Sequence, residues 1–282
     1  FRTHVSFIRC VLFCYSKDEE VKTMTRIVII EDISLTAKYI LETLNPGHYE
    51  IVVVYDSNRE PDQYPGIIYQ PMDYLDLAHW QKYIEKEDIV LMNALPEMFG
   101  DGLWHGKPHV LRQLIKDYVC AAGPFEVIEY HDIIAYQKVK TKQAASLQQM
   151  SVSQDYTAHQ SIIAYAHYLK KMSLGLIQVK GQPERFDIHL LNMKRPLIAM
   201  NQVPLTHGVK LTLQANSLLY QPKSNASAFY FIQKQQSLCT CLTHFTPRLS
   251  WRIYQSTQAV IHEWVMRGFR SYLRRLNQGN EK

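Results

Sequence analysis

The stretch RIVIIEDISLTAKYI (26–40) decides the reading of the fold. After Arg26 come four consecutive β-branched aliphatic residues, the pattern of a strand buried on both faces. Leu35, Tyr39 and Ile40, with Leu44 one turn further on, then share one helical stripe. A fully apolar strand that leads within a few residues into an amphipathic helix is how an alternating α/β chain begins.

Outward from there the alternation continues. YEIVVVYD (49–56), GIIYQPMD (66–73), DIVLMNAL (88–95) and FEVIEY (125–130) read as strands, with helices marked by Leu77, Trp80 and Ile84 and by Val110, Leu111, Leu114, Ile115, Tyr118 and Val119. The expectation is an α/β fold in which strands at 26–31, 50–55, 66–71, 88–93 and 125–130 lie parallel in one sheet with helices on both faces. Beyond about residue 140 the pattern loosens. Residues 141–158 read as loop or frayed helix, 160–172 as helix and LGLIQVK (174–180) as strand, while 207–220 fits either state. The last element, 257–276, is an amphipathic helix expected to turn Ile261, Trp264, Val265, Tyr272 and Leu273 inward and Arg267, Arg270, Arg274 and Arg275 outward.

Composition narrows the function classes. Of 282 residues 46% are hydrophobic and 11% aromatic, which excludes a chain unable to bury a core. No run approaches the roughly 18–20 uncharged apolar residues of a bilayer span, so no membrane partner is expected. Cys10, Cys14, Cys120, Cys239 and Cys241 form no CxxC pair and read as free thiols of a cytoplasmic protein. His105 and His109 in HGKPH lie in a Gly/Pro loop without further ligands at matching spacing, so no metal site is expected. Residues 1–23 open on Phe1, their apolar run is broken by Arg9, and they lack a small-residue cleavage site; they read as a non-native or disordered extension before a natural start at Met24. Net charge is −6 over residues 1–150 and +11 over 151–282, a basic half that suits either an anionic partner or a solvated face.

The order of these pieces resembles the atypical short-chain dehydrogenase/reductases, an NAD(P)H-binding group with a Rossmann fold. The likeness rests on IVIIEDISLTAKYI for the first strand and phosphate turn and on VVVYDSNRE for the second strand with its acidic residue. MDYLD stands for the third-strand acidic motif, and DIVLMNA for the fourth strand beside the nicotinamide ribose. The resemblance implies that Ser34, Leu35, Asp56, Arg59, Asp73, Asn93 and Ala94 line an NAD(P) site, in a domain spanning 24–215, with 216–282 as a basic C-terminal appendage. AHYLKKMSLGLIQVKGQP (166–183) resembles the helix–strand segment that precedes the family's substrate lobe.

Two departures bear on chemistry. Glu31 and Ser34 stand where the family has glycines, and a carboxylate there opposes the close approach of a pyrophosphate. The family's catalytic Tyr–Lys pair has no clear counterpart: Tyr136 and Lys140 follow the fifth strand too closely, and Tyr165 and Tyr168 lack a lysine at the right spacing. Catalytic residues therefore stay unassigned. The expected function is a degenerate member of the group, a dinucleotide or small-molecule sensor or a weak NAD(P)-dependent oxidoreductase. An alternative comes from LTLQANSLLYQ (211–221) and MRGFRSYLRRLN (266–277), which resemble two segments of LytTR-type DNA-binding domains; that likeness implies a transcriptional regulator holding DNA through Arg267, Arg270, Arg274 and Arg275.

Overall fold

The computed structural model describes residues 25–30, 35–44, 47–56, 61, 63–92, 103–106, 108–129, 142–153, 156–181, 184–222 and 227–279. Residues 1–23, with the extension expected there, lie outside them. The chain starts with β1 (Thr25–Ile30), α1 (Leu35–Thr43), β2 (Tyr49–Asp56), β3 (Ile68–Met72), α2 (Leu77–Tyr83) and β4 (Ile89–Met92). Next come β5 (Leu103–Gly106), α3 (Pro108–Ala122), β6 (Glu126–Glu129), β7 (Ala144–Ser151), α4 (Ala158–Met172), β8 (Ile177–Lys180) and β9 (Arg185–Leu190). The remainder is β10 (Ile198–Leu205), β11 (Gly208–Leu213), β12 (Ala228–Lys234), β13 (Ser237–Phe245), α5 (Trp251–Ser256) and α6 (Gln258–Gly279). These divide into two compact units, 1–95 with 111–139, and 96–110 with 140–282.

Unit one is a five-stranded sheet in the order β3-β2-β1-β4-β6, parallel throughout. The central strand explains the register. Ile27, Val28, Ile29 and Ile30 pair with Ile51 to Val54 on one side and with Ile89 to Met92 on the other, and all twelve side chains are buried. Alternate residues Ile27, Ile29, Ile51, Val53, Ile89 and Leu91 form one core with Ala37, Ile40 and Leu41 of α1. Each such aliphatic side chain contributes about 1.5–3 kcal/mol when removed from water, and a one-residue slip would turn every one of them to the wrong face. The five strands expected from sequence are the five observed, with ends shifted by at most two residues.

Unit two is an eight-stranded sheet in the order β5-β7-β13-β12-β11-β10-β9-β8. Its neighbours are antiparallel except for β5 and β7, which run parallel. Helices α4 and α6 share one core with Phe186, Phe229 and Phe231 of the sheet. Tyr165 sits at its centre, its ring 5.0 Å from that of Phe269 and 5.7–6.4 Å from those of Phe186, Phe229 and Phe231. Helix α4 starts where it does because Thr157 and Gln160 form a capping box: the Thr157 hydroxyl accepts the Gln160 N–H at 3.1 Å, and the Gln160 amide oxygen accepts the Thr157 N–H at 2.7 Å.

This second unit corrects several expectations. Residues 144–151 form a strand rather than loop or frayed helix, because β7 is paired on both edges and four of its first residues are buried. The ambiguous 207–220 segment holds strand β11, whose Gly208 lies so near β12 that a β-carbon would fall 2.4 Å from the Phe231 carbonyl oxygen. The helix–strand segment at 166–183 does not extend the parallel sheet, since β8 pairs antiparallel with β9. A domain boundary near 215 is likewise displaced: the division falls at about 140, and residues 216–282 supply β12, β13, α5 and α6 to the second core instead of forming an appendage. In α6 the inward stripe is Ala259, Val265, Met266, Phe269 and Leu273; Ile261 and Trp264, expected inside, are 58% and 60% exposed.

Candidate functional site

Strand order places the candidate site. From β1 the chain moves outward to β2 and β3, then returns to the other side of β1 for β4 and β6. At such a reversal, crossovers leave on opposite faces and a crevice opens beyond the carboxyl ends of the two central strands, where ligands of open α/β sheets bind. Of the residues expected to line it, Asp56 ends β2. Ile30 at the end of β1 pairs with Val54, so Asp56 lies two residues past the last paired position and opposite Met72 of β3. It is buried. Leu35 opens α1, its side chain outside the described set, while Ser34, Arg59, Asn93, Ala94 and Glu31 lie outside the described residues altogether.

Asp73 directly follows β3 and belongs to a tightly bonded turn. Its Oδ1 accepts the Leu75 N–H at 3.1 Å, and its own N–H donates to His79 Nδ1 at 3.0 Å, which requires that nitrogen to be unprotonated. Asp76 caps α2 by accepting the Ala78 N–H at 3.0 Å, with His79 Nε2 3.9 Å from its other oxygen. Two buried aromatics fasten the turn. The Tyr74 hydroxyl donates to the Val54 carbonyl of β2, Trp80 Nε1 donates to the Tyr74 carbonyl, each at 3.0 Å, and the two rings stack with centroids 5.7 Å apart. MDYLD is thus a structural clamp at the carboxyl edge, with Asp73 carried at its rim. The His79 contact went unread in the sequence, where only the Asp-x-x-His spacing from Asp76 hints at it.

At the opposite, amino edge sits a pair that sequence reading did not find. Arg26 donates to both oxygens of Asp88, at 3.0 and 2.8 Å, and to the Tyr83 carbonyl at 3.2 Å. Asp88 is fully buried and also accepts the Glu85 N–H at 2.7 Å. Burial pushes its carboxyl above the ordinary value, against the pull of the Glu85 N–H and the Arg26 guanidinium. Lying at the amino ends of β1 and β4, this pair ties the two strands together at the edge opposite the candidate site.

The remaining candidates disperse. Tyr136 and Lys140 lie outside the described residues. Tyr165 and Tyr168 belong to the aromatic core of unit two, and burial pushes both phenols up, Tyr165 well above the usual range. Three of the four arginines assigned to DNA are engaged within the unit: Arg267 with Glu263 at 2.5 Å, Arg270 with the Gln149 carbonyl at 2.9 Å and Arg275 with the Ser271 carbonyl at 3.4 Å; Arg274 is exposed. Among the described residues no group of three or more His, Cys, Asp or Glu could hold a metal ion, and no helix is long and apolar enough to cross a membrane.

No family model and no curated protein matches the chain. Among solved structures it is similar to a Rossmann-fold NAD(P)-binding family protein from Shigella flexneri, with 12% identity and a TM-score of 0.29 over 45% of this chain and 75% of that chain. A likeness of that size adds nothing to the assignment, which rests on strand order alone: unit one is a Rossmann-type parallel sheet.

Proposed function

We propose that unit one binds a dinucleotide weakly at the carboxyl edge of its sheet and serves as a ligand-responsive module of the atypical short-chain reductase type, without hydride transfer. The observation that carries this reading is Asp56, an acidic residue at the carboxyl end of the second strand, beside the point where the strand order reverses. A carboxylate there suits paired ribose hydroxyls. Asp73, Asn93 and Ala94 would complete the adenine and ribose contacts, with Leu35 at the start of α1 and Arg59 toward a 2′-phosphate. Glu31 and Ser34 keep the pyrophosphate from the close approach that glycines permit. The absence of hydride transfer is supported by the phenols of Tyr165 and Tyr168, which are committed to a core and pushed away from the range of a working acid. A cytoplasmic setting, where Cys120, Cys239 and Cys241 persist as free thiols, belongs to the same reading.

Titration of the full chain with NADH and NADPH tests it. Saturation is expected only above the micromolar range. Asp56→Asn should weaken binding roughly tenfold by removing a charge-assisted hydrogen bond, and Glu31→Gly with Ser34→Gly should tighten it by a similar factor. Micromolar binding by the unaltered chain would overturn the role given to Glu31 and Ser34. Indifference to Asp56→Asn would overturn the site.

A further inference from the structure

One end of the β8–β9 pair gathers five exposed apolar side chains, among them Leu174, the most exposed large apolar residue among the described residues. The last turn of α4 closes with the Gly175 N–H donating to the Lys170 carbonyl at 2.8 Å and the Leu174 N–H to the Lys171 carbonyl at 3.2 Å. These are the two bonds of a Schellman motif, whose left-handed position ordinarily takes glycine. Here that position is Leu174, at φ 52°, with Gly175 following at φ 85°. A β-carbon in this region is unfavourable, and Leu174 is 94% exposed, so packing does not offset the strain. Such an outlier invites a functional explanation.

Leu174 has neighbours of the same kind. The Leu191 N–H donates to the Leu176 carbonyl at 2.7 Å, Leu190 pairs with Ile177, and the Met193 N–H donates to the Leu190 carbonyl at 3.0 Å. Leu176, Leu190, Leu191 and Met193 are 38–54% exposed. Cations rim this tip: Lys170 and Lys171 on α4 and Lys194 in the turn after β9. Residues 156–181 and 188–222 contain no Asp or Glu. A hollow lined by His167, Lys170, Lys171, Leu174, Gly175 and Tyr272 opens beside Leu174.

We propose that this tip seats unit two on the surface of an anionic bilayer. The leucines and Met193 enter the boundary between headgroups and acyl chains, the lysines meet lipid phosphates, and the hollow accepts a headgroup. Charge complementarity selects this occupant, since an apolar tip ringed by cations without acids matches an anionic lipid surface. A stable protein partner needs about 800 Å² per side and a complementary shape, whereas a bilayer receives a few protruding side chains without either. The expectation of no membrane partner rested on the missing span, and a surface contact needs none.

Co-sedimentation of the full chain with vesicles of phosphatidylcholine and phosphatidylglycerol, mixed about 7:3, tests the proposal against vesicles of phosphatidylcholine alone. Binding is expected to the anionic vesicles only and to weaken as salt rises. Lys170→Gln and Lys194→Gln should each weaken it roughly fivefold. Leu174→Gly is the decisive variant: it relieves the left-handed strain, so the melting temperature should hold or rise, while vesicle affinity falls roughly tenfold. Trp264→Ala, at a different exposed apolar site, should leave binding unchanged. The proposal falls if anionic vesicles are not bound, if Leu174→Gly binds as the parent does, or if Trp264→Ala loses as much. It also falls if sedimentation velocity without lipid shows Leu174-dependent self-association, which would make the tip an interface between copies.

Discussion

Replacing Arg26 with methionine isolates the energetics of the amino edge of unit one. The substitution keeps an unbranched apolar stem but removes both guanidinium bonds to Asp88, leaving that fully buried carboxylate with the Glu85 N–H. Breaking a buried pair from one side costs about 3–5 kcal/mol, because the remaining charge is uncompensated. The Arg26 side chain is 15% exposed, so some water reaches the site and the lower end, about 3 kcal/mol, is the working figure. Its contacts to the exposed Glu50 and Glu85, at 3.5 and 3.2 Å, add less than about 1 kcal/mol. The pH dependence has a defined sign. A carboxyl raised in the folded state gives stability that is complete below the unfolded value of 3.8 and is lost as pH rises through the folded value. Removing Arg26 takes away a lowering influence and widens that window. Urea unfolding of parent and variant should therefore show the full deficit near pH 7 and a much smaller one near pH 4. A deficit under about 1 kcal/mol at neutral pH, or one that does not shrink on acidification, would refute the reasoning.

Helix α6 makes two further predictions. At Gly268 a β-carbon would fall 2.0 Å from the Tyr168 hydroxyl oxygen, whose ring is held against Phe269 and Tyr272. Gly268→Ala should thus lower stability by about 1–2 kcal/mol despite its better helix propensity, and Tyr168→Phe in the same chain should recover much of that in thermal melts. Phe269→Ala should cost about 3–5 kcal/mol in the same assay, against about 0.5 kcal/mol or less for Trp264→Ala on the exposed side.

The parallel sheet was legible because its three central strands, β1, β2 and β4, are buried on both faces and so carry unbroken aliphatic runs, while the edge strands β3 and β6 were found by their place in the alternation. Unit two defeated the same reading for identifiable reasons. AASLQQMS (144–151) has little strand propensity and is made a strand by partners on both edges, one of them β13, some ninety residues on. In α6, apolar residues occupy more than one face; the stripe through Met266 and Phe269 is inside, and no periodicity distinguishes it from the one through Ile261 and Trp264. The α4–β8 segment has the local pattern of a crossover, and only its antiparallel pairing with β9 shows otherwise. The sequence placed Asp56 and Asp73 at the ends of the second and third strands, where they stand, but not the turn bonds that hold Asp73. The His79 contact is local but depends on how the turn after β3 closes, and the Arg26–Asp88 pair joins residues 62 apart through tertiary geometry that spacing does not encode.

The parallel pairing of β5 with β7 has a consequence for how the chain can be divided. Residues 103–106 belong to the second sheet although they precede the last strand of the first, so the polypeptide passes between its two units three times. During synthesis β5 emerges long before β7 exists and must wait for its partner, which makes the edge of unit two a late, non-local event. A fragment beginning at 140 would bring β7 to the surface with one flank of N–H and C=O groups unmatched, an invitation to pair with another chain. The smallest piece able to close the eight-stranded sheet begins upstream of Leu103 and keeps the last strand of the parallel sheet, β6, as passenger. Proteolytic dissection of this protein should accordingly yield soluble pieces only where the cut spares the segment from β5 through β7.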